Sequence, residues 1–219
     1  PQAVVNSMAL LGWSSGTAQE LFSMAELIKA FSLDRIQSSP AIFDQKRLDN
    51  INGQYIRRMD TDELIEALEY HLPGTSKDTR RELVPLLRER MVTFRDAVEL
   101  AEPLLGAAPW DPDVQFPPKK VDSDQARTLL EAAIADIEAS GVDDPEALRL
   151  RLTEKVEAMG LKARDAFRVL YIAILGGPQG VPVFDAMRFI GAEKSVQRLQ
   201  AAVVELDRPR EDDPPAAEA

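Results

Sequence analysis

With 219 residues, 45% of them hydrophobic and 29% charged, the chain has room for one large domain or two to three small ones with a buried core. It holds no cysteine and a single histidine, His71, which excludes disulfides, thiolate catalysis and cysteine-ligated zinc. That histidine also has no second histidine to work with, as hydrolytic and metal sites usually require. The formal net charge of −11 argues against indiscriminate nucleic-acid binding, but not against a local basic stripe that docks one structured RNA.

In chain order, nearly every segment has helical periodicity. "VVNSMALLGWS" places Val5, Met8 and Ala9 on one face and ends at Gly12. In "FSMAELIKAFS", Ser23 and Glu26 form a capping box ahead of Leu27, Ile28 and Phe31. "FDQKRLDNINGQYIRRMD" is a junction in which Phe43, Leu48, Ile51 and Ile56 anchor the chain. It leaves Lys46, Arg47, Arg57 and Arg58 available to an anionic partner, the alternative being solvated charge. "DTDELIEALEYHL" has Asp60 as cap, with Leu64, Ile65 and Leu68 turned inward, and puts His71 at a helix end as a surface or capping residue.

A helix from about Thr79 to Gly106 is expected, interrupted or kinked near Pro85 and Pro103. "APWDPDVQFPPKKVD" breaks any helix and is the best boundary in the chain. After it, "SDQARTLLEAAIADIEASG" aligns Ala126, Leu129, Leu130, Ala133, Ile134 and Ile137. The next helix starts at the Asp144–Pro145 cap and stops at Gly160. "ARDAFRVLYIAILGG" is expected to be the buried central helix of the last unit, with "PVFDAMRFIG" and "AEKSVQRLQAAVVEL" closing it. The acidic tail 207–219 is expected to be disordered. The fold class is all-α, a multi-unit helical bundle.

Catalytic chemistry is missing from the pattern. There is no phosphate-cradling GxxxxGK[ST] loop, and "LGGPQGVP" lacks its lysine and reads as a turn between helices. The Asp143–Asp144 and Asp212–Asp213 pairs read as a cap and as tail, so no metal site is assigned. No apolar run nears the roughly 20 residues that span a bilayer, and no signal peptide is visible. The expected location is therefore the cytoplasm. Pro1 in place of Met fits an excised fragment or a processed chain.

The basic residues concentrate in "KDTRRELVPLLRERMVTFRD". On one continuous helix, Arg80, Arg81, Arg88 and Arg95 recur at about seven residues and line one side. Arginine suits forked contacts with phosphates and base edges. The alternative is a solvated face paired with Glu82, Glu89 and Asp96. A weaker basic group is Lys162, Arg164 and Arg168, with Lys119 and Lys120 in the connector.

Four blocks in order, "PQAVVNSMALLGWS", "LFSMAELIKAFSLDRIQSSPAIFDQKRLDNINGQYIR", "LLRERMVTF" and "AILGGPQGVPVFDAMRFIGAEKSVQRL", resemble the C-terminal half of bacterial glutamyl-tRNA synthetases, class I enzymes. The resemblance runs from Pro1 to about Leu206. The family's ATP-holding "HIGH" and "KMSKS" motifs are absent from it. It implies a stem-contact helical unit over 1–56, then an anticodon-binding helical cage made of units 57–113 and 114–206. It implies that Arg90 of the "R-x-x-T" step, followed by Thr93, reads anticodon bases, and that Arg88 and Arg95 touch the backbone. The partner implied is tRNA(Glu), with no DNA and no membrane, bound by a monomer. Arg57, Arg58, Lys46, Arg47, Arg80 and Arg81 are further tRNA-backbone candidates.

ATP and Mg belong to the implied parent enzyme and no cofactor to this segment, which is expected to be inactive alone. Asn50 stands at the family's "KLDW" aromatic position. Tyr171 and Leu175 stand at the Arg and Thr of its "PLRxALTG" motif; Tyr171 either stacks on an unpaired base or is core. The rival readings are a diverged stand-alone paralogue acting as a helical RNA- or protein-binding module, and a purely structural helical scaffold.

Overall fold

The computed structural model describes residues 2–36, 42–106 and 113–208. Among these the chain is all-α. The helices are α1 (Gln2–Gly12), α2 (Met24–Ala30), α3 (Gln45–Arg58), α4 (Thr61–Ala67), α5 (Lys77–Leu87) and α6 (Asp96–Leu105). They continue with α7 (Ser123–Ser140), α8 (Pro145–Ala158), α9 (Ala163–Leu175), α10 (Val183–Ile190) and α11 (Ala192–Leu206). A 3₁₀ turn spans Leu33–Arg35, and an isolated bridge joins Trp13 to Ile36. The caps are those the residue types require. Ser23 accepts from the Glu26 amide at 3.2 Å while Glu26 accepts from the Ser23 amide at 2.7 Å, and Asp144 accepts from Ala147 with Pro145 opening α8.

The chain forms two compact units, Pro1–Glu99 and Leu100–Ala219, with the division inside α6. In the first, α1 packs along α3 and α4 along α5. Trp13 is buried edge-on against Phe22, with ring centroids 5.9 Å apart. Asn6, only 1% exposed, stitches α1 to the following segment: its amide donates to the Glu20 carbonyl at 2.7 Å and its oxygen accepts from the Phe22 amide at 2.9 Å. In the second unit α7 and α11 make the most extensive helix pairing, and α9 touches α7, α8, α10 and α11. Val169, Leu170 and Ile172 to Leu175 are buried, so α9 is the central helix its apolar sequence demands. Arg198 ties α11 to this core through the Ile174 carbonyl at 2.6 Å and the Gly106 carbonyl at 2.7 Å; its burial lowers its pKa.

Several expectations are corrected. The helix expected from Thr79 to Gly106 is two helices, α5 and α6, separated at residues 88–95, while Pro85 and Pro103 both lie inside helices. The break is made by side-chain capture of backbone amides, described below. Phe43 is 49% exposed and anchors nothing, unlike Ile51 and Ile56 at 2%. Ile134 is only half-buried. Within the proline-rich connector, 107–112 lie outside the described residues, as do 209–219 of the tail; Val121 is buried at 4%.

Asn6→Ala removes partners from two covered backbone groups, and such groups cost about 1–3 kcal/mol each when left unpaired. The variant should unfold at clearly lower urea concentration by far-UV circular dichroism. A midpoint equal to that of the parent would show that Asn6 bridges nothing of consequence.

Candidate RNA-binding surface

The segment between α5 and α6 carries Arg88, Arg90, Thr93 and Arg95, and its shape has an identifiable cause. Asp96, at the start of α6, accepts from the Val92 amide at 2.7 Å, the Thr93 amide at 3.0 Å and the Thr93 hydroxyl at 2.7 Å. Burial pushes the Asp96 carboxyl up. The hydrogen bonds from Thr93 and Val92 outweigh it, and the net shift is downward. From α3, the Asn52 amide donates to the Val92 carbonyl at 2.6 Å. Gly53 lies where a β-carbon would sit 3.5 Å from the Met91 carbonyl and 3.1 Å from Nη1 of Arg57. A side chain there would crowd the Arg57 guanidinium and meet the loop at ordinary contact distance, so loop and guanidinium both lie close to α3 at this point. Met91 is fully buried beneath.

Arg90 and Arg95 project from this frame, exposed and without a side-chain hydrogen bond or ion pair among the described residues. Arg88 caps α5 and donates to the Thr61 hydroxyl at 2.9 Å. Thr93 spends its hydroxyl on Asp96, so it shapes the loop. His71 is half-buried, its ring 5.7 Å from Phe94 of the same loop and 5.2 Å from Tyr70, which is 87% exposed.

The remaining basic candidates divide. Arg80 is corrected: it is 5% exposed and donates to the Ile65 carbonyl at 3.0 Å and the Thr75 carbonyl at 2.6 Å, with Glu69 3.5 Å away. It holds the α4–α5 connection together and presents no surface charge. The seven-residue stripe fails with it, because the helix ends at Leu87. Arg81 is exposed and shared between Asp78 at 3.0 Å and Asp62 at 3.9 Å. Arg47 pairs with Glu20 at 2.8 Å in solvent, a contact of small energetic weight.

Lys46 is exposed at the start of α3, and ten residues of helix, about 15 Å, separate Arg47 from Arg57. Arg58 lines a cleft of about 320 Å³ with Glu26, Tyr55 and Glu63, where the Tyr55 hydroxyl donates to the Phe22 carbonyl at 2.6 Å. Arg57 thus joins the Arg90 loop, whereas Lys46 and Arg47 lie at the far end of α3. Asn50 is exposed and accepts from Gln54 at 2.6 Å.

In the second unit Tyr171 is half-buried on α9 and forms one wall of a cleft of about 390 Å³. Phe167 and Phe184 meet edge to face at 5.1 Å beside it. Arg149 and Arg188 stand on the rim; Arg149 is held by Glu146 through two bonds of 2.8 and 2.5 Å. Leu175 is buried. Asn52 and Phe94 are not flagged by the sequence, and Asp96 is flagged only as an ion-pair partner for the arginines. The "TFRD" spacing of Thr93 to Asp96, an S/T-x-x-D step before an apolar run, was the readable signal. Among the described residues no group of three or more histidine, aspartate or glutamate side chains is placed to hold a metal ion. No helix among them is long and apolar enough to cross a membrane.

An all-α chain with an arginine-bearing loop and an aromatic cleft is the kind of scaffold that reads unpaired bases. The model of the anticodon binding domain family matches residues 63–203, and the chain belongs to that family. It is 33% identical over 212 residues to the glutamate–tRNA ligase of Saccharopolyspora erythraea, covering 92% of this chain and 42% of that protein. With the glutamate–tRNA ligase of Roseiflexus castenholzii it shares 34% identity over 217 residues, 93% of this chain and 42% of the relative. The crystal structure of the Elizabethkingia meningosepticum glutamate–tRNA ligase superposes with a TM-score of 0.78 at 25% identity, over 94% of this chain and 41% of that one. The chain thus spans less than half the length of these relatives.

Replacing Asp96 by Asn should destabilise the first unit by about 1–2 kcal/mol, the scale of a charge-assisted cap. The lowered carboxyl sets the sign: the advantage of Asp over Asn is complete above 3.8, the ordinary value, and disappears as pH falls through the lower folded-state value. Urea titrations of both proteins between pH 7 and pH 2 measure it; a difference that stays constant over that range would refute the assigned role.

Proposed function

We propose that this chain is the tRNA-binding, C-terminal portion of a glutamate–tRNA ligase, and that it recognises tRNA(Glu) by its inner corner and anticodon. The observation that carries the reading is the combination of an anticodon-binding family match over 63–203 with glutamate–tRNA ligase relatives of more than twice the length. The rest of the parent enzyme, on this reading, performs ATP- and Mg-dependent glutamylation in the cytoplasm as a monomer. This segment supplies binding energy and identity. Residues 1–56 serve as the stem-contact unit, with 57–113 and 114–206 as the two halves of the anticodon cage.

Arg90 is the base reader. It is exposed, its side chain has no hydrogen-bond or ion-pair partner among the described residues, and it is mounted on a loop fixed by Asp96 and Asn52. Arg95 and Arg57 flank it as phosphate contacts, the division of labour usual in nucleic-acid readers. Tyr171 takes a second unpaired base against its ring, beside Phe167. A second reading, a diverged helical module for another RNA or for a protein, draws its support from Tyr171 and Asn50 standing where the resembling family has other residues.

Arg90→Ala should weaken binding of tRNA(Glu) transcript about 10- to 100-fold, the scale of one lost forked base contact, or relax discrimination against anticodon-swapped transcripts. Filter binding at fixed salt measures both, and unchanged affinity for both RNAs would remove Arg90 from the site. The 219-residue chain alone should give no glutamate-dependent ATP–pyrophosphate exchange. Exchange above background would overturn the assignment of catalysis to the rest of the enzyme.

A further inference from the structure

A second cavity borders α9. It measures about 390 Å³; Ile172, Pro118 and Pro178 contribute its apolar lining, and Lys119, Lys120 and Arg168 its cations. Lys120 reaches Asp165 at 3.2 Å, and Asp165 is the one acidic side chain lining the cavity among the described residues. Lys119 and Arg168 are exposed and make no hydrogen bond or ion pair with side chains there. Lys162 and Arg164, also exposed, add two cations at the same end of α9.

Within the cavity lining, three cations over one acid run against the −11 of the whole chain and select an anionic occupant. Apolar walls beside cations suit a nucleotide, whose base has a flat apolar face and whose phosphate is charged. Helix geometry places this cavity beside the Tyr171 cleft. Phe167 and Tyr171 share one stripe of α9 at i, i+4, and Arg168 and Ile172 share the next, about 100° round a cylinder roughly 10–12 Å across. That separation is within reach of neighbouring nucleotides of one strand.

We infer that this basic cavity is a second RNA subsite, holding the nucleotide next to the one on Tyr171. Lys119, Lys120 and Arg168 each take one phosphate of the strand at and beside this nucleotide, and its base lies against Pro118 and Pro178. The inference rests on the RNA-binding reading above and adds a contact that the reading does not require.

The test uses the full chain and a fluorescent tRNA(Glu) anticodon stem-loop, with affinity followed from 50 to 300 mM salt. The K119Q/K120Q/R168Q variant should bind about tenfold more weakly at low salt, and its log–log salt slope should fall by about 2, at about 0.7 per phosphate contact on single-stranded RNA. Tyr171→Ala should lose affinity and keep the slope. Equal affinity and slope in parent and triple variant, with Tyr171→Ala still weakened, would overturn the subsite and leave the RNA-binding reading intact. A parent chain that binds no RNA would overturn both. Displacement of the stem-loop by poly-glutamate as readily as by unlabelled RNA would also overturn it, marking an acidic-peptide surface. Single Arg168→Gln and Lys119→Gln variants, each expected to lower the slope by about 0.7, carry the same test if the triple variant folds poorly.

Discussion

One carboxylate fixes the geometry of the loop that carries Arg90, on which the proposed function of the first unit depends. Asp96 collects two backbone amides and a hydroxyl, which ends the continuity of α5 and α6 and turns the chain between them into a rigid loop. As an acid in the first turn of α6 it also faces the positive end of the helix dipole. Asn52 and Gly53 hold the loop from the other side. A guanidinium presented from such a frame has less freedom to lose on binding than one on a mobile loop, and its fork is aimed before the ligand arrives. The conspicuous "NGQYIR" motif is explained by the same contact. Its Asn donates to the Val92 carbonyl, and its Gly lies close to the Arg57 guanidinium and the Met91 carbonyl.

The distribution of charge follows a second constraint. An acidic chain suppresses wrong contacts with other anions, and whatever basic surface remains must be assembled from cations not consumed internally. Many are consumed. Arg80 and Arg198 serve carbonyls at helix ends, Arg151 and Lys155 share Asp136, and Arg127 is bound to Asp207. Among those without a side-chain partner in the described residues are Arg90 and Arg95 on the first unit, and Lys119 and Arg168 on the second. Counting arginines in the sequence therefore overstates the basic surface, because a buried arginine looks no different in one dimension.

The helices were readable because their information is local. Ser23 with Glu26, Asp144 with Pro145, and the spacing of Ala126, Leu129, Leu130 and Ala133 each state a boundary or a face within one or two turns of chain. Arg80 was misread because the Ile65 and Thr75 carbonyls that capture it come from α4 and the α4–α5 connection. The rest of the seven-residue stripe was misread because it assumed a continuous helix through residue 95. The interruption depends on Asp96 and Asn52, and Asn52 reaches the loop from 40 residues away. Phe43 was misread for a related reason: an aromatic next to a helix start does not reveal whether a neighbour is there to cover it. Which cations share a surface likewise depends on contacts between distant segments.

On the proposed reading, the second unit is a recognition site whose hydrogen-bonding groups differ from those of the resembling family. Where the resembling family has an arginine and a threonine, Tyr171 offers one hydroxyl and a ring, and Leu175 is a buried apolar side chain. A forked guanidinium distinguishes bases by about 1–3 kcal/mol, whereas a stacking ring tolerates any of them. The two positions have changed in the same direction, which matters physically. Losing only one member of a hydrogen-bonding set strands a desolvated partner, while losing both leaves a self-consistent apolar wall. The cleft beside Tyr171 is thus suited to holding a base without naming it. On the proposed reading, identity then rests on Arg90 and the second unit supplies affinity. On the same reading, cations at Lys119, Lys120 and Arg168 would increase that affinity without demanding any sequence, because phosphate is the same at every position of the strand.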